Sequence, residues 1–74
     1  MNTKEIARQH STMGYLSGLI GEGISSGDKD KETIDFVGRN VRYLEIMIAK
    51  DYWTNEDMTA VNQAIADGNA YLGV

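Results

Sequence analysis

Seventy-four residues hold at most one small domain, and a chain of this size buries only about 60% of its unfolded surface on folding. There is no cysteine and a single histidine, so neither disulfides nor a structural metal site reinforce it. Eleven acidic against seven basic residues give a net charge of −4, which argues against direct nucleic-acid binding, because affinity for phosphate backbones depends on clustered Lys and Arg.

The pattern predicts an all-α, single-domain fold of three helices near residues 3–26, 29–50 and 55–70, with no proline to interrupt them. Asn2 is placed to cap the first, with Glu5 three residues on as the closing member of a capping box. Ile6, Met13, Leu16, Ile20 and Ile24 hold one face of it, and Gly27 is its expected left-handed C-terminal residue.

Asp28 follows at once and is the expected cap of the second helix, with Asp30 and Glu32 in the first turn. So short a connection makes the first two helices an antiparallel hairpin. Ile34, Val37, Val41, Leu44 and Ile48 form one stripe of the second helix, and Phe36, Tyr43 and Met47 form another beside it. An arc this wide requires cover from both neighbours, which makes the second helix central. Asn40 falls between the stripes. A polar amide there either fixes the register of a helical interface or bonds a backbone carbonyl at a wetter margin. On the polar side, Asp35 with Arg39 and Arg42 with Glu45 stand at ion-pair spacing.

In DYWTNEDM, Thr54 reads as the cap of the third helix and Asp57 as the residue closing its box. Trp53 and Met58 flank the cap at the spacing of a hydrophobic staple. Met58, Val61, Ala64, Ile65, Tyr71 and Leu72 then share a face, where Gly68 either permits a close contact or ends the helix early.

The run NVRYLEIMIAKDYWTNEDMTAVNQAIADGNAY, from Asn40 to Tyr71, resembles small uncharacterised proteins of marine tailed bacteriophages. The resemblance implies a phage accessory protein working in the cytoplasm of a bacterial host, and it carries over no functional residue.

Candidate chemistry is sparse. Asp28, Asp30 and Glu32 alternate like the opening of a calcium loop, but Thr33 and Arg39 stand where that loop needs glycine and glutamate. His10 has Ser11 as its sequence neighbour, which a helix points elsewhere, so it is expected to be a part-buried, hydrogen-bonded side chain. Tyr52, Trp53 and Tyr71 could stack on bases, but without surrounding cations their expected work is to close the core. No catalytic, cofactor or metal-binding residue is expected, and the chain is read as non-enzymatic.

The unusual feature is on the first helix. Ala7, Ser11, Gly14, Gly18, Gly21 and Ser25 recur at steps of 4, 3, 4, 3 and 4, a continuous small-residue seam. Each glycine costs a helix roughly 1 kcal/mol against alanine. The seam therefore packs inside the domain, forms a face for self-pairing or another protein, or lies exposed. Ile46, alone on the polar side of the second helix, adds a second candidate for an interface. A core this small typically yields no more than ~3–5 kcal/mol, which favours a homodimer. The run Met13–Ile20 is too short to span a membrane, and no signal peptide is expected. The resulting expectation is a small, soluble, cytoplasmic interaction protein that self-associates and binds another protein. An acidic mimic of nucleic acid and a minor virion component are the alternatives.

Overall fold

The computed structural model describes residues 2–74, which form three helices: α1 (Thr3–Ser25), α2 (Lys31–Ile48) and α3 (Thr59–Leu72). Each packs against the other two, and no strand occurs among the described residues. Gly23 of α1 lies against Phe36 and Val37 of α2, whereas the far end of α2 turns back through Tyr52 to Gln9, so α1 and α2 are antiparallel. Gly68 of α3 meets Ile20 and Val41, and His10 meets Asp57, so α3 runs alongside α1.

The core consists of Met13, Ile20, Val37, Val41, Leu44, Trp53, Val61 and Ala64. α2 contributes four buried residues, Val37, Asn40, Val41 and Leu44, against three from each neighbour, and all three helices share the core. The arc is narrower than predicted: Ile34 and Tyr43 sit at its margins, 37% and 48% exposed. Asn40 is 4% exposed, and its amide Nδ2 donates to the Phe36 carbonyl one turn back at 2.9 Å. The amide is thereby satisfied within its own helix. Among the described residues the ion pair formed is Lys31 with Asp35, at 2.8 Å, so Asp35 turns to the preceding turn rather than to Arg39.

The helix ends show where local chemistry sets the boundaries. Asn2 accepts from the Glu5 N–H at 2.8 Å and donates to the Glu5 carboxylate at 3.1 Å, the reciprocal box predicted. After α1, Gly27 adopts φ 75°, as expected for its position. Its amide bonds the Ile24 carbonyl, but the outer bond of the motif is relayed through a side chain. The Asp28 N–H donates to Ser26 Oγ, and that hydroxyl donates to the Gly23 carbonyl at 2.7 Å. The backbone is still extended at Asp30 and coils only from Lys31, so Asp28 lies too early to cap α2. Asp30 caps α2 instead, accepting from the Thr33 N–H, and the connection is the five residues 26–30.

The third helix starts later than predicted, at Thr59 rather than near 55. Thr54 caps nothing and lies exposed in a turn closed by the Glu56 N–H on the Trp53 carbonyl at 2.9 Å. Asp57, read as the closing residue, instead accepts from the Thr59 N–H at 3.0 Å. Tertiary tethers explain the delay. The buried Trp53 indole donates to the Met47 carbonyl at 2.7 Å, satisfying the last turn of α2. Tyr52 donates to Gln9 at 2.8 Å, and His10 donates to the Asp57 carbonyl at 2.8 Å. Residues 52–57 are thus tied to α1 and α2 as a linker before the backbone is free to coil. Met58 precedes the helix, so the predicted staple is replaced by independent packing of Trp53 and Met58 on the core. α3 continues through Gly68 and ends at Gly73, φ 81°, with Val74 N–H on Asn69 and Gly73 N–H on Ala70.

Candidate protein-interaction face

Every member of the seam, Ala7, Ser11, Gly14, Gly18, Gly21 and Ser25, lies exposed on α1. A Cβ added at Gly14, Gly18 or Gly21 would meet no atom within 4 Å outside the helix's own local backbone. Internal packing of the seam is therefore set aside. The close approaches inside the fold use other glycines. At Gly23 a Cβ would stand 2.7 Å from a Val37 methyl, and at Gly68 it would overlap a Val41 methyl.

The seam borders α3, not α2. Gly18, Gly21 and Ile24 of α1 and Ala60, Ala64 and Asp67 of α3 line a shallow cleft of about 330 Å³. A second depression continues it past Ser25 to Ala70 and Tyr71. Gly18 and Gly21 on one wall and Ala60 and Ala64 on the other, flanked by the larger Ile24, Gln63 and Asp67, leave the backbone of α1 open to a close approach by another helix, nearer than the usual ~8–10 Å separation. Ile46 is 53% exposed on the outer face of α2 and does not join this cleft. Sequence reasoning missed Tyr15, the most exposed aromatic at 67%, because it falls outside every apolar stripe.

The remaining chemical candidates are placed apart. Tyr52 and Trp53 stack at a tilt, centroids 4.7 Å apart, by the C-terminus of α2. Tyr71 lies at the opposite end, where its hydroxyl donates to the Asp28 carbonyl and the Lys29 ammonium sits 3.8 Å over its ring. The three aromatics therefore form no single platform. Loss of solvent around the Tyr71 hydroxyl, with Asp30 and Asp28 nearby, raises its pKa above the ordinary tyrosine value. Hydrogen bonds from Thr33 lower that of Asp30, and bonds from Thr59 lower that of Asp57. The His10 ring nitrogen Nε2 is committed to a backbone carbonyl. Among the described residues, no group of three or more His, Asp or Glu side chains converges on a point that could hold a metal ion. None of their helices is long and apolar enough to cross a membrane. No family model, curated protein or solved structure matches the chain.

Proposed function

We propose that this protein is a small helical interaction protein that self-associates through the exposed face of α1 and acts by binding another protein. The observation that supports it is the seam itself: three helix-interior glycines whose missing Cβ atoms make room for nothing within the fold. Together they weaken α1 by roughly 3 kcal/mol relative to alanine. A contact that uses the open backbone gives that loss a physical purpose. On this reading the chain is non-enzymatic and works as a phage accessory protein in the host cytoplasm, in keeping with the resemblance carried by Asn40–Tyr71. The acidic-mimic alternative has less behind it. Asp28, Asp30 and Glu32 stand at the start of α2, and Asp51, Glu56 and Asp57 lie beyond its other end. The two groups lie at opposite ends of the eighteen-residue α2, which is about 27 Å long.

Sedimentation equilibrium on the wild type and on Gly18→Leu tests the reading. The expected result is a wild-type dimer and a folded, monomeric variant, since a side chain at position 18 has open space in the single chain. A wild type that stays monomeric at every accessible concentration would rule the proposal out. A dimer indifferent to the change would move the contact elsewhere, to the face carrying Ile46.

A further inference from the structure

The exposed face of α1 carries charge as well as small residues, basic at its start and acidic at its end. Lys4 and Arg8 occupy its first turns and Glu22 its last, along one edge beside the seam. All three are exposed, and among the described residues none of them takes part in an ion pair. The seam reads the same in both directions about position 16, because its steps run 4, 3, 4, 3, 4. Two copies laid side by side in parallel about a two-fold would carry their charged edges to opposite sides of the contact, where they pair with nothing. An antiparallel two-fold arrangement places each basic end beside an acidic one.

We propose that α1 docks on α1 of a second copy, antiparallel, with the two-fold axis crossing the seam at the level of residue 16, on the face opposite the inward-facing Leu16. Gly14 of each helix then lies level with Gly18 of the other, and Ser11 with Gly21, so the closest approach falls where both backbones are bare. Arg8 comes within two residues' rise, about 3 Å along the axis, of the level of the opposite Glu22. Because the axis is perpendicular to both helices, the charged edge of one copy meets the charged edge of the other. The cleft between α1 and α3 lies along the other edge, open to the partner helix. This inference rests on the self-association proposed above, and specifies its geometry.

The absence of cysteine makes engineered thiols the only ones in the chain. Ser11→Cys and Gly21→Cys proteins are oxidised separately and as an equimolar mixture, alongside sedimentation of the wild type. In the antiparallel register positions 11 and 21 of opposite copies are level, whereas two copies of position 11 stand about 15 Å apart. The mixture is expected to form disulfide-linked dimer several-fold faster than either protein alone. Equal cross-linking of Ser11→Cys by itself, or none in the mixture while the wild type is dimeric, would overturn the register and leave self-association standing. A monomeric wild type would remove both. In parallel, Arg8→Glu and Glu22→Arg should each weaken the dimer roughly three- to tenfold, and the double reversal should restore it. A double variant as weak as the singles would overturn the charge pairing.

Discussion

Gly21 and Gly23 are two residues apart on one helix and do opposite things. Gly23 faces inward, where its missing side chain lets α1 close on Val37 and Phe36 of α2. Gly21 faces outward with Gly14 and Gly18, and the space each leaves is empty. The penalty to helix propensity is similar for both. At Gly23, as at Gly68 of α3, the close contact is visible and the residue is part of the core's design. At the seam glycines no local reason exists, so any reason must come from outside the chain. A glycine inside a helix therefore points to an interface only after the fold has been checked for the neighbour it admits.

The largest expected effect that bears on this contrast is at Gly68. A methyl there would overlap Val41, a stiff β-branched side chain that is itself buried. Overpacking costs typically ~1–3 kcal/mol, and so close an overlap belongs in the upper part of that range, about 2–3 kcal/mol, of which the alanine's propensity gain of about 1 kcal/mol offsets only part. Gly68→Ala should thus lose roughly 1–2 kcal/mol in urea unfolding. Unchanged or increased stability would mean that the core glycines are not close-packed and that the contrast with the seam is false.

The same substitution at Gly18 should act in the other direction. Nothing within the chain meets the new methyl, so Gly18→Ala should raise the stability of the dilute monomer by up to about 1 kcal/mol. Chemical unfolding at low protein concentration measures it. A loss of stability under those conditions would show that the seam is needed inside the single chain after all.

Much of the architecture was legible because periodicity depends on the chain alone. Val37, Val41 and Leu44 share a stripe at helical spacing, and the structure buries all three. The Asn2–Glu5 box and Gly27 were readable for the same reason, as contacts made within one turn. The start of α3 was not, because Thr54 and Asp57 suit a cap locally while Trp53, Tyr52 and His10 hold the segment to distant parts of the chain. Asp28 was a poorer guide than Asp30 because both suit a cap locally, while the bonds that tie residues 26–28 to the end of α1, which no spacing rule includes, leave the chain to coil only from Lys31. The seam was visible as a pattern, but its orientation was not. Gly14, Gly18 and Gly21 lie far enough round α1 from Met13 and Ile20 that only the placement of α3 decided whether they were covered.

Exposure alone does not mean that a residue lacks a local role, and Asp30 supplies the control for the seam. It is fully exposed, yet its carboxylate accepts from the Thr33 N–H at the start of α2, and bonding to Thr33 holds its pKa below the ordinary value. Asp57 is lowered in the same sense by Thr59 at the approach to α3. A carboxyl whose folded pKa is depressed contributes stability that is complete above its unfolded value, near 4. That contribution is lost as the pH falls through the folded value. Wild-type melting temperature should therefore drop between pH 5 and pH 2.5, more steeply than other carboxylates alone would make it. Asp30→Asn keeps an oxygen acceptor for the cap and removes the titration. The variant should melt close to the wild type at pH 7 and show a slightly shallower decline in acid, the smallest of the three effects. Parallel acid profiles for the two proteins would mean that the bond from Thr33 does not favour the ionised Asp30 carboxyl.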